Sequence, residues 1–120
     1  MLGLRTVIYK VADLPAAIDW YTRAFGLEPY FNEDYYVGFD IGGYELGLQP
    51  DPAPAAGKTA NVLAYWGVAN VQKTYDFLLS LGAAPLEAPE SVGGALIAAT
   101  VLDPWGNAIG LLFNPDFKQQ

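Results

Sequence analysis

Cysteine and histidine are both missing from these 120 residues. The first absence excludes disulfides, thiolate nucleophiles and Cys-ligated zinc. The second removes the commonest general base, the commonest metal ligand and any Ser-His or Cys-His pair. Basic residues are scarce. Six Lys and Arg against thirteen Asp and Glu give a formal net charge of −7, which repels phosphate backbones and anionic membrane surfaces and argues against nucleic-acid and membrane partners. The same balance attracts cationic partners at long range, although solubility alone accounts for many acidic proteins. No apolar run approaches the roughly 18 residues of a membrane span, and the opening MLGLRTVIYK lacks the long apolar core of a signal peptide, so the cytoplasm is the expected compartment. There is also no Ser elbow, no Gly-rich loop beside a P-loop Lys and no carboxylate pair at a telling spacing, hence no positive sign of catalysis.

What is present is a core. At 52% hydrophobic and 14% aromatic, the chain suits a single domain over residues 1–120. Residues 5–11 are rich in β-branched and aromatic side chains and read as a strand. Asp13 then precedes apolar residues at Leu14, Ala17, Ile18, Tyr21 and Phe25, the spacing of an amphipathic helix. Asp13 can cap that helix, Pro15 is tolerated in its first turn and Gly26 can end it in the left-handed conformation. Residues 35–41 alternate, with Val37, Phe39 and Ile41 on one face, and Gly42-Gly43 turns the chain into a second strand over 44–49. Residues 50–58, PDPAPAAGK, carry no hydrophobic periodicity and read as a linker, which divides the chain into module one (1–50), linker (51–59) and module two (60–120).

The order then repeats. Residues 62–68 read as a strand, Asn70 as the cap of a helix carrying Val71, Tyr75, Leu78 and Leu81, and Gly82 as its stop. Strands follow over 95–102 and 108–113, joined by the turn DPWGN. VADLPAAIDWYTRAFG aligns with VANVQKTYDFLLSLG through one gap, matching Asp13 with Asn70, Leu14 with Val71, Asp19 with Asp76 and Trp20 with Phe77. Duplication accounts for this better than chance. Each unit has one helix to cover one face of a small sheet, so a second unit curling against the open face would create a concave cleft.

Three segments, VADLPAAIDWYTRAFGL, VANVQKTYDFLLSLGA and DPWGNAIGLL, resemble in order and spacing the vicinal oxygen chelate superfamily of glyoxalases, bleomycin-resistance proteins and dioxygenases. The resemblance implies an α+β fold of two βαβββ modules forming an eight-stranded incomplete barrel, usually completed as a homodimer. In metal-dependent relatives one residue on each of the first, fourth, fifth and eighth strands binds a divalent ion. The corresponding positions here count out to Thr6, Gly47, Leu63 and Gly110, and a shift of two residues on the fourth strand would substitute Glu45. Neither set supplies the anionic or imidazole donors such an ion needs, so no metal and no cofactor is expected.

Strand alternation from Thr6 places Ile8 and Lys10 on the cleft face and Val7, Tyr9 and Val11 against the helix. The same count selects Thr6, Ile8, Tyr36, Glu45, Gly47, Leu63, Tyr65, Gly110 and Leu112 as ligand-binding candidates, with Trp105 at the turn into the last strand. Such a lining suits a flat or apolar small molecule, with Glu45 able to orient a cationic group. Leu63, Tyr65 and Leu112 could equally fill a barrel interior, and Tyr35, Tyr36, Trp20 and Trp66 could be core or dimer contacts. Three functions are open: a metal-independent binding protein sequestering an aromatic or cationic molecule; a metal-free lyase or isomerase using Glu45 or a cleft tyrosine; or a dimerisation module without ligand.

Overall fold

Asp13 and Asn70 each stop an extended segment and start a helix in the same way. Both hold extended backbone, and their side chains accept from the backbone N–H three residues on, Ala16 at 3.1 Å and Lys73 at 3.0 Å. Each cap satisfies one of the donors that a helix N-terminus leaves orphaned. The structure, a computed structural model, describes residues 1–52 and 62–115. The chain separates into two compact units, Met1–Gly57 and Lys58–Gln120. Of the expected linker over 51–59, all but Asp51 and Pro52 lies outside the described residues.

Unit one runs β1 (Thr6–Val11), α1 (Leu14–Phe25), β2 (Phe31–Glu33), β3 (Tyr36–Ile41) and β4 (Tyr44–Pro50). Its sheet is ordered β1-β4-β3-β2, with β1 parallel to β4 and the remaining pairs antiparallel. Unit two runs β5 (Tyr65–Gly67), α2 (Val71–Ser80), β6 (Ala84–Gly93), β7 (Leu96–Leu102) and β8 (Ala108–Phe113), and its sheet order β5-β8-β7-β6 repeats the first. Two βαβββ modules of the same topology are what the internal repeat predicts.

One face of each sheet is covered by its helix. In unit one Val11, Val37, Phe39, Leu46 and Leu48 are fully buried together with Ala17 and Tyr21 of α1. Tyr9 stacks on Tyr21, which stacks in turn on Phe25 and meets Trp20 edge-on. Unit two buries Trp66, Ala99, Val101, Ile109 and Leu111 with Val71, Tyr75 and Leu78 of α2. Each such side chain removed from water contributes about 1.5–3 kcal/mol, so the helix faces hold the modules together. Trp20, Tyr21 and Trp66 are therefore core residues, and Tyr35 is exposed.

One expectation needs correction. β5 covers only Tyr65–Gly67, against the expected 62–68, because its ladder with β8 holds three register pairs; Leu63 precedes the strand and is half-buried. The edge strands β2 and β6 were implied by the family resemblance, while their own residues gave no alternating pattern. Both are exposed along almost their whole length, and β6 is broken by register shifts around Glu87 and Glu90.

Candidate functional site

The face of the first sheet turned away from α1 carries a polar cluster built by the ladder. Thr6 of β1 lies directly opposite Glu45 of β4, and Ile8 opposite Gly47. The register thus sets Glu45, and not Gly47, beside Thr6. On the other side of β4, Gly38 of β3 pairs with Gly47 and Asp40 with Glu45. Tyr36, two residues before Gly38, points to the same face.

Glu45 gathers three hydroxyls. Its Oε1 accepts from Thr6 Oγ1 at 2.8 Å and from Tyr36 Oη at 2.5 Å, and its Oε2 accepts from Tyr30 Oη. The two glycines make this possible. A Cβ on Gly47 would fall 2.6 Å from Tyr36 Cζ, and one on Gly38 would fall 2.9 Å from Glu45 Oε2 and 3.1 Å from the Tyr30 ring. A side chain at Gly47 would force the Tyr36 ring to move, and one at Gly38 would press on the Glu45 carboxylate and the Tyr30 ring, so the bare backbone forms a floor on which the tyrosines lie while their hydroxyls reach the carboxylate.

The electrostatics follow from those bonds. Hydrogen bonds from Tyr30 and then Tyr36 favour the anion and hold the Glu45 carboxyl below the ordinary carboxylate range, against an opposing desolvation. Donating to an anion stabilises the neutral phenol, so Tyr30 is pushed up to about 12 from 10.0, chiefly by its bond to Glu45. Tyr36 is raised first by burial and second by the same carboxylate. Beside Glu45 lies a hollow of about 140 Å³ lined by Arg5, Tyr30, Asp40, Gly43, Tyr44 and Glu45.

Of the ten predicted site residues, unit one therefore brings together Thr6, Tyr36, Glu45 and Gly47, with the half-exposed Ile8 next to them. Sequence reasoning missed Tyr30, which sits before β2 in a stretch without periodicity; Gly38, a glycine within an aromatic strand, was the available signal of a side chain lying close over the backbone. In unit two Tyr65 packs on Gly110, where an added Cβ would stand 2.6 Å from its ring. Tyr65 and Leu112 line a hollow of about 350 Å³ together with Val68, Ala69 and Phe113. Leu63 lies off the strand, and Trp105 belongs to the DPWGN turn, its backbone N–H donating to Asp103 at 2.9 Å.

A model of the glyoxalase/bleomycin resistance protein/dioxygenase superfamily matches residues 3–111. The chain belongs to this superfamily. Solved structures agree in fold. A glyoxalase-related enzyme from Fulvimarina pelagi superposes with a TM-score of 0.79 at 18% identity, covering 100% of this chain and 94% of that one. A glyoxalase/bleomycin resistance protein/dioxygenase family enzyme from Burkholderia phytofirmans PsJN gives 0.75 at 20%, covering 90% and 95%. TioX from Micromonospora sp. ML1 gives 0.70 at 17%, covering 92% and 98%. Comparison with curated protein sequences returns no match.

Members of the superfamily that bind a divalent ion need several anionic or imidazole donors converging on it. The residues here do not fit one. Leu63 and Gly110 have no donor atom in their side chains, the Thr6 proton is given to Glu45, and the Glu45 carboxylate is already engaged by three hydroxyls. Among the described residues no three Asp, Glu, His or Cys side chains come together.

Proposed function

We propose that this superfamily member is a metal-independent binding protein that sequesters a small cationic molecule with an aromatic or apolar part. The observation that carries the reading is the Glu45 cluster: a carboxylate kept ionised by hydroxyl donors on a sheet face lined by tyrosines. Such a charge needs no induced fit to receive a cation, and tyrosine rings add apolar contact and cation–π attraction worth about 0.5–2 kcal/mol per well-placed ring. The net charge of −7 favours encounter with a cation over an anion.

The same electrostatics weigh against a metal-free lyase or isomerase. A general base near neutral pH wants a pKa near the working pH. Glu45 is displaced downward and Tyr30 and Tyr36 upward, which makes the carboxylate a weak base and the phenols poor ones.

The test is a thermal-shift and calorimetric screen against cationic aromatic compounds, antibiotics included. A ligand at a hundredfold excess over its Kd stabilises the native state by about 2.7 kcal/mol. Stabilisation by members of the panel, lost in Glu45→Gln, is the expected result. Silence of the whole panel at every accessible excess rejects the reading.

A further inference from the structure

The bonds that Glu45 already makes decide what kind of cation it can still receive. An ionised carboxylate offers about four lone-pair directions, two on each oxygen. Oε1 accepts two hydroxyls, Thr6 and Tyr36, and is filled. Among the described residues Oε2 accepts from Tyr30 alone. The 140 Å³ hollow is lined by Tyr30 and Glu45 but by neither Thr6 nor Tyr36, which sets it on the Oε2 side. One acceptor direction thus remains, and it opens onto a hollow large enough for a cationic head group.

We infer that the site selects a ligand whose cation binds through one N–H···O bond, an ammonium, and discriminates against the forked cations, guanidinium and amidinium, whose advantage is a pair of parallel bonds. A fork needs one free lone pair on each oxygen to make its two parallel bonds. Here it finds Oε1 taken, so it must displace the Thr6 or the Tyr36 hydroxyl or bind through one arm and forgo the second bond of the fork. Displacing a donor loses a hydrogen bond to a charged group. An ammonium needs only the one free lone pair and keeps its other N–H groups in water. The rest of the lining agrees: Asp40 and Glu45 outweigh Arg5 by one formal charge, and the Arg5 guanidinium is turned to the backbone carbonyls of Leu2, Gly3 and Leu4. Asp40 accepts from the Gly43 N–H at 2.8 Å, which fixes the turn that forms the hollow's rim.

This inference rests on the proposed cation binding at Glu45, and the experiment separates the two. Benzylamine and benzamidine have similar size and one positive charge each, and differ in offering a tetrahedral ammonium or a planar fork. Titration calorimetry on the full chain should show the ammonium binding roughly tenfold more tightly. Thr6→Val, which keeps the β-branched shape and removes one donor to Oε1, should free a lone pair there and bring the ratio towards one. Benzamidine binding as well as or better than benzylamine in the unaltered protein overturns the inference and leaves cation binding standing. A ratio unchanged in Thr6→Val overturns it too. If neither compound binds, the inference is overturned, while the underlying reading is decided by the wider panel.

Discussion

Gly47 lies directly beneath the Tyr36 ring, so close that a methyl group there would fall 2.6 Å from Cζ. Gly47→Ala is therefore expected to swing Tyr36 off the sheet and break its bond to Glu45 while the helix-side core stays intact. Overpacking of this kind costs about 1–3 kcal/mol, visible as a lowered urea midpoint with an unchanged slope. A specific signature accompanies it. Once away from Glu45, Tyr36 should titrate nearer its ordinary 10.0, read as tyrosinate absorbance. An unaltered titration curve would mean that the glycine does not position the ring.

The coupling of Glu45 to its tyrosines makes stability depend on pH at both ends. The Glu45 pKa is lowered in the folded state from 4.5, so its contribution is present above the unfolded value and is lost as pH falls through the lowered one. Tyr30 is raised to about 12 from 10.0, so its contribution is present below 10.0 and is lost as pH rises towards about 12, where the unfolded chain ionises first. Chemical denaturation across pH should show both losses. In Glu45→Gln the alkaline loss should shrink and the Tyr30 titration move down. An alkaline limb that is identical in the two proteins would rule out the carboxylate as its cause.

The elements that could be read from the residues were those with a physical stop at each end. Asp13 and Gly26 bound α1, the latter with φ of +70°; Asn70 starts α2 in the same manner as Asp13, but the C-cap of α2 is Leu81, with Gly82 following at φ of +97°. β3, β4, β7 and β8 were legible because helix-facing residues such as Val37, Phe39 and Val101 alternate with others. β2 and β6 bury almost nothing, so no alternation marks them, and Pro85, Pro89 and the bulges of β6 disturb what pattern remains. At the site, the family resemblance pointed to Thr6 and Gly47, and strand alternation from them pointed to Tyr36 and Glu45. Alternation had no means of finding Tyr30, which joins the sheet by a single backbone bond to the Gly38 carbonyl. Which residue of β4 faces Thr6 was also open, since the repeat match gave Gly47 and a shift of two residues gave Glu45; the ladder chooses Glu45.

The duplicated caps give a paired prediction. Asp13→Ala and Asn70→Ala each remove one side-chain acceptor from the start of a helix, at a cost of about 1 kcal/mol apiece. Because the caps sit in separate compact units, the two losses should add in the double variant to within a few tenths of a kcal/mol. A clear departure from additivity in equilibrium unfolding would show that the helix starts are energetically coupled.

A large loss of stability from a polar substitution is expected at Asp103, in the turn that launches β8. Asp103 is 3% exposed, and its carboxylate accepts from the Trp105 N–H at 2.9 Å, the Asn107 N–H at 2.7 Å and Asn107 Nδ2 at 2.9 Å. Its own backbone N–H donates to the Asn107 carbonyl at 2.8 Å, closing the turn. Asp103→Ala strands three donors at once, two of them on the buried Asn107, and an unsatisfied buried group costs about 1–3 kcal/mol. A total of about 3 kcal/mol is expected, since water will reach part of the turn. Asp103→Asn keeps one acceptor oxygen and should recover part of that loss. Because β8 is the strand that joins β5 to β7, hydrogen exchange should report the weakening first at Ala108–Phe113, ahead of unit one. A uniform rise in exchange over both units would instead mean that the turn is integral to the global unfolding step.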